Sequence, residues 1–242
     1  MTDLLVQYAR YYETAEFLEG DPSWFMHQVA GAANQEAMAF VAAALSYGSR
    51  SQFMPKIQFI LDRACGDVDK WVRLRHFKTD FTADDNRSFY RLYSYSTMHT
   101  FLETYACLLN EYGTLGEYVH IHAVDGFTAL DAITKYFREH GSGGIIPKDT
   151  TSACKRLCMF MRWMVRSDSP VDLGLWSEFI DRRTLLMPLD THVLQQAKRL
   201  GLINSCTASM SACRRLTARL AEVFPDDPVL GDFALFGYGV NN

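Results

Sequence analysis

The chain has 242 residues, of which 48% are hydrophobic and 13% aromatic, and a formal net charge of −4. That apolar content fills one large domain or two smaller lobes and excludes a disordered chain. No apolar run reaches the roughly 18 residues that a membrane span needs, and the acidic start MTDLLVQYARYYETAEF is unlike a secretory leader, so a soluble cytoplasmic protein without a membrane partner is expected.

Apolar residues recur at helical spacing along most of the chain. Ala37, Phe40, Val41, Ala44 and Leu45 fall on one face of a helix that Gly48 should stop. A second helix is predicted over about Gln52–Arg63 and a long one over about Arg87–Tyr112, ended by Gly113. Shorter ones follow over Leu115–His122 and Phe127–His140. The segment GSGGIIPKDTTSA (Gly141–Ala153) is the clearest break, because clustered glycines and Pro147 cannot continue a helix. It marks a hinge or lobe boundary near residues 141–150. Beyond it an amphipathic helix is predicted over Ser152–Arg166, for which Asp149, Thr150 or Thr151 can supply the N-cap. A turn and short helix over Val171–Asp181 come next, followed by helices over Thr191–Leu200, Ser209–Val223 and Pro228–Phe236. No run of alternating β-branched residues competes, so the fold class expected is all-α.

The six cysteines include no C-x-x-C pair, and a chain of this size does not need disulfide staples, so they read as reduced thiols. Cys206 and Cys213 have a spacing seen in some iron–sulfur loops, but no third and fourth cysteine follow. His120 and His122 lie two apart on a predicted helix and point to different faces. No metal and no cofactor is assigned. The stretch from Lys148 to Arg219 carries 12 Lys+Arg against 6 Asp+Glu on an otherwise acidic chain. Such a basic region suits a phosphate-binding face, while on charge alone a set of solvated helix surfaces is the plainer reading.

The most informative segment is LLMPLDTHVLQQAKRLGL (Leu185–Leu202), where a single aspartate precedes an amphipathic helix closed by Gly201. Asp190 sits where an N-cap belongs, and capping alone would explain it. A capping carboxylate is also fixed in direction, so it can serve a reaction that develops positive charge. Upstream, CKRLCMFMRWMVR (Cys154–Arg166) places Lys155 in the first turn of its helix beside Arg156. A lysine attacks carbon only as the free amine, which burial, a cationic neighbour or a helix N-terminus favours. An ordinary exposed helical lysine is the plainer reading. Trp163 and Trp176 read as core.

PLDTHV followed by a helix ending RLGL resembles the corresponding segment of the helix-hairpin-helix DNA glycosylases. The resemblance implies a two-lobed helical fold with a central cleft, forming a single glycosylase-like unit, and a catalytic role for Asp190. In bifunctional members an upstream lysine attacks the sugar C1′ and forms a Schiff base, and Lys155 is the position that matches. The usual hairpin motif is absent and Lys155 lies 35 residues before Asp190, a longer separation than is common. Archaeal 8-oxoguanine glycosylases share both departures. The segments KRLCMFMRWMVR, VDLGLW and PLDTHV also resemble the hallmark of an uncharacterised bacterial family. AFVAAALSYGSRS (Ala39–Ser51) is similar to the glycosylase helix and loop that wedges into DNA, with Leu45 and Ser46 matching. By position, Tyr47, Ser49 and Arg50 then become DNA-contacting candidates, and an aromatic wedge can replace lost base stacking. Asp232 and Phe236, four apart in DFALFGYG, resemble a pair that lines the base pocket in the archaeal enzymes. For Phe236 core packing explains the residue equally well.

The guanidinium groups of Arg156, Arg162 and Arg166 suit phosphate contacts, and His192 can bond a phosphate. The expected partner is damaged duplex DNA, with a flipped purine such as 8-oxoguanine as substrate. The alternatives are a non-catalytic nucleic-acid-binding module that keeps this fold, and a helical interaction protein whose basic segment is only a solvated surface.

Overall fold

The computed structural model describes residues 1–141 and 144–241. In chain order its elements are α1 (Thr2–Tyr12), α2 (Ala32–Leu45), α3 (Arg50–Arg63), α4 (Val68–Arg73), β1 (Ser88–Tyr90), β2 (Tyr93–Ser94), α5 (Tyr95–Tyr112), α6 (Leu115–His122), α7 (Gly126–His140), α8 (Lys155–Val165), α9 (Thr191–Arg199), α10 (Met210–Ala221) and α11 (Gly231–Asn241), with short 3₁₀ turns between some of them. The fold is all-α. Among the described residues the one sheet is the two-stranded antiparallel hairpin β1–β2, and no helix is long and apolar enough to cross a membrane.

The chain divides into two compact units. The first comprises Met1–Glu19, Val124–Leu130 and Thr150–Asn242, and the second comprises Gly20–Ala123 and Asp131–Asp149. The chain re-enters the first unit at Thr150, at the end of the glycine-rich break; Ser142 and Gly143 of that break lie outside the described residues.

The second unit is built around α2. Every residue of this helix from Glu36 to Leu45 is buried, which is the signature of a helix surrounded by protein rather than laid on a surface. Its alanines let neighbours approach, and Phe40 packs against Phe101 and Tyr105 of α5 and Phe137 of α7. The one carboxylate on this buried run, Glu36, accepts the Leu115 and Gly116 amides at 2.8 and 3.0 Å. It satisfies the N-terminus of α6 from across the core, where an unpaired buried charge would be prohibitive.

In the first unit the buried helix is α8, inaccessible from Leu157 to Val165. Helix α1 packs along α11, and their approach is close at Gly237, where a side chain would collide with the ring of Tyr12.

Two sequence expectations are corrected. Residues Arg87–Ser94 do not begin α5. They form the hairpin, in which Ser88 pairs with Ser94 and Tyr90 with Tyr93, and the helix starts only after Ser94, whose hydroxyl accepts the Thr97 amide at 3.1 Å. Nor does Val171–Asp181 form a helix. The amides of Leu173 and Trp176 are donated at 2.7 Å to the Trp163 and Met164 carbonyls at the end of α8. These orphan carbonyls need partners, and supplying them holds the segment irregular. Trp163 and Trp176 are both buried.

Candidate functional site

Lys155 is the first residue of α8, and Cys154 before it adopts the left-handed region (φ 47°, ψ 35°). The turn is braced from both sides. Ser152 forms an isolated antiparallel bridge with Ser209, and the Met210 amide donates to the Thr151 carbonyl at 3.3 Å. The start of α8 is thereby tied to the start of α10. Cys154 is itself buried, with its thiol 3.5 Å from the Ser152 hydroxyl.

Asp190 reaches the same place from the other direction. The preceding residues Met187, Pro188 and Leu189 are buried, and α10 grips the loop through both backbone groups of one residue: Thr217 Oγ1 accepts the Met187 amide at 3.1 Å, and the Cys213 thiol donates to the Met187 carbonyl at 3.1 Å. The hydrogen bond it shares with Cys213, together with burial, raises the Cys158 thiol above its usual range, a contact between α8 and α10. Asp190 then caps α9, its Oδ1 accepting the Val193 amide at 2.9 Å.

The other carboxylate oxygen faces Lys155. Asp190 Oδ2 lies 3.2 Å from Lys155 Nζ, and the two side chains keep 33% and 36% of their exposure. Two residues 35 apart in sequence thus meet at the N-terminal turns of α8 and α9, fixed from behind by α10 and open to solvent in front. An amine nucleophile beside a carboxylate that can take up its proton or face a cationic carbon is the minimum set for attack at an electrophilic carbon. Arg156 is half-buried in the first turn of α8, and His192 is exposed in the first turn of α9.

Arg162 and Arg166 are corrected as phosphate contacts. Both are buried and their charges are spent inside the first unit. Arg162 Nε donates to Asp172 at 3.2 Å and its Nη1 to Asp232. Arg166 bonds Asp172 through Nη1, Asp227 through Nε at 2.8 Å and Glu13 through Nη2 at 2.6 Å. Burial alone would depress the Arg166 guanidinium, yet the carboxylates of Asp172, Asp227 and Glu13 raise it above its ordinary value. Asp172 moves the other way from most paired carboxylates: burial raises it, opposed by the two guanidiniums. Sequence reasoning missed this network because its acidic members come from four separate segments. The RWMVR spacing, which puts Arg162 and Arg166 on one face of an otherwise apolar helix, was the available signal.

The base-pocket candidates Asp232 and Phe236 lie one turn apart on α11, both half-buried. Asp232 is held by Arg162, while Phe236 packs edge-on against Tyr12 and Phe17. Tyr47, Ser49 and Arg50 belong to the second unit. Tyr47 is 40% exposed after the end of α2. Ser49 is the N-cap residue of α3, its hydroxyl 2.8 Å from that of Ser51, and Arg50 pairs with Asp21 at 3.1 Å.

The family model described as "Protein of unknown function (DUF2400)" matches residues 21–241. No curated protein and no solved structure matches the chain. The match covers nearly the whole sequence, and the chain belongs to this family.

Proposed function

For this DUF2400 protein we propose the function of a DNA glycosylase that excises a damaged base through a lysine Schiff base, with Lys155 as nucleophile and Asp190 as its proton acceptor and electrostatic partner. The observation that carries the reading is the 3.2 Å approach of Lys155 Nζ to Asp190 Oδ2. The resemblance to helix-hairpin-helix glycosylases assigns chemistry to both residues from sequence alone, through the PLDTHV segment for Asp190 and the upstream lysine position for Lys155.

In the proposed reaction the target nucleotide is first turned out of the duplex, at a cost of a few kcal/mol that is lower for damaged or mispaired bases. The Lys155 nitrogen bonds to C1′ as the glycosidic C–N bond breaks, and its electron pair departs with the base, which takes up a proton. Asp190 faces the positive charge that develops at C1′ and accepts the proton lost by the lysine nitrogen. Opening of the sugar ring, with the ring oxygen keeping the C1′–O electron pair, leaves the iminium of a Schiff base. Water then hydrolyses it, or borohydride reduces it to a stable amine.

The test is to incubate the protein with duplexes carrying 8-oxoguanine, other common lesions or an abasic site, and to add borohydride. A covalent protein–DNA adduct is expected with wild type and none with Lys155→Gln. Asp190→Asn should reduce trapping by about two orders of magnitude or more, the usual contribution of one acid–base or electrostatic group. Salt-sensitive binding with no adduct on any substrate would replace this reading with that of a non-catalytic nucleic-acid-binding module.

A further inference from the structure

A cavity opens where the segment Val171–Asp181 is held irregular against the end of α8. It measures about 480 Å³, within the range of about 300–1,000 Å³ typical of small-molecule sites. Its apolar wall is Val165, the last residue of α8, with Phe179 and Ile180, and beside them Val124 is left 83% exposed. All the lining residues belong to the first unit. Lys155 begins the helix that Val165 ends, so ten residues, or roughly 15 Å of helix, lie between the cavity and the candidate site. Three ionised side chains complete the lining. Asp181 is already engaged, its carboxylate accepting the Arg183 guanidinium through three bonds of 2.6 to 3.0 Å. Glu178 and Arg182 are not. Among the described residues neither side chain makes an ion pair or a hydrogen bond, with the other or with a third group. With Asp181 matched by Arg183, one carboxylate and one guanidinium line the cavity with their bonding capacity unspent and their charges in balance.

We propose that this cavity binds a zwitterion with an apolar side chain, a free amino acid such as leucine or phenylalanine or a dipeptide of such residues, with its ammonium on Glu178, its carboxylate on Arg182 and its side chain against Val165, Phe179 and Ile180. A guanidinium holds a carboxylate through two parallel N–H donors, a carboxylate accepts from an ammonium, and such charge-assisted bonds are the stronger kind. Other ligands of this size fit worse. A phosphate ester would bring its negative charge up to Glu178, and a simple amine or a simple organic acid would leave one of the two protein charges unmatched. The inference goes beyond the glycosylase reading and needs neither Lys155 nor Asp190.

The test is calorimetric titration of the full-length chain with leucine, phenylalanine and leucyl-leucine, beside glycine, N-acetylleucine and leucinamide. At least one of the first three should bind saturably, and about tenfold or more tighter than glycine, which lacks the side chain, N-acetylleucine, which lacks the ammonium, and leucinamide, which lacks the carboxylate. Tenfold is the scale of one charge-assisted hydrogen bond. Whichever of leucine and leucyl-leucine binds tighter identifies the form of the ligand. Arg182→Gln should erase the advantage over leucinamide, and Glu178→Gln the advantage over N-acetylleucine. Glu178 is exposed and Arg182 half-buried, so both variants should fold, and a thermal melt of each verifies this. No saturable binding of leucine, phenylalanine or leucyl-leucine by wild type, or advantages that persist in both variants, overturns the inference and leaves the reading of Lys155 and Asp190 untouched.

Discussion

Cys154 carries a cost that the rest of the first unit must sustain. Non-glycine residues rarely occupy the left-handed region, and holding one there costs on the order of 1–3 kcal/mol. Here that residue sets the direction in which α8 begins and so the position of Lys155. Cys154→Gly should preserve borohydride trapping, whereas Cys154→Val, whose branched Cβ resists this conformation, should lose trapping at least tenfold and lower the melting temperature. Equal trapping by the two variants would contradict a positioning role for the turn. The buried arginines yield a second prediction. Arg166→Met leaves Asp172, Asp227 and Glu13 without their shared cation and should destabilise the protein by about 3–5 kcal/mol, measured by urea unfolding. Were Arg166 instead a surface phosphate contact, stability would hardly change and only DNA affinity would fall.

At the scale of elements, helix boundaries with strong punctuation were legible. Leu115–His122 is marked by Thr114 at one end and closed before Ala123, Gly113 ends α5, and the Asp190 cap starts α9. Where the sequence misled, hydrogen-bond pairing outweighed helical periodicity. Arg87–Ser94 reads as the start of a long helix, and the pairing of Ser88 with Ser94 and Tyr90 with Tyr93 decides otherwise. The amides of Leu173 and Trp176 were committed to the end of α8, a demand invisible within their own segment. Helix α6 also gives a pH prediction. The Tyr118 hydroxyl donates to the Ala132 carbonyl at 3.0 Å, and burial raises its pKa from 10.0 to about 12. A group whose folded pKa is raised contributes stability that is fully present below its unfolded value and lost as pH climbs through its folded value. Stability should therefore fall between about pH 10 and pH 12, followed as the urea midpoint, and Tyr118→Phe should flatten that fall while lowering stability slightly at neutral pH. An unchanged alkaline slope in the variant would mean that other groups govern it.

For the whole molecule, the candidate site was partly legible. Asp190 announced itself by its cap position and its neighbours, and Lys155 by its place at a helix start. That the two meet, and that α10 holds both, follows from the Ser152–Ser209 bridge and the grip on Met187, which no local spacing encodes. Charge was a poorer guide. The basic excess between Lys148 and Arg219 includes two arginines that never reach the surface, so the face left to meet phosphate is smaller than the sequence total suggests. Arg156, Lys198 and Arg199 remain at least partly accessible. With about three phosphate contacts, affinity for duplex DNA should drop roughly fortyfold when salt is raised fourfold. A salt-independent affinity would argue against a basic DNA-binding face.

The central claim is that Lys155 is the nucleophile, and it is tested most directly by peptide mapping of the borohydride-reduced adduct formed with an abasic-site duplex. The account predicts a single modified peptide with the sugar remnant on the Lys155 nitrogen, absent in Lys155→Gln. A remnant on another lysine or on the amino terminus, undiminished in that variant, would contradict it.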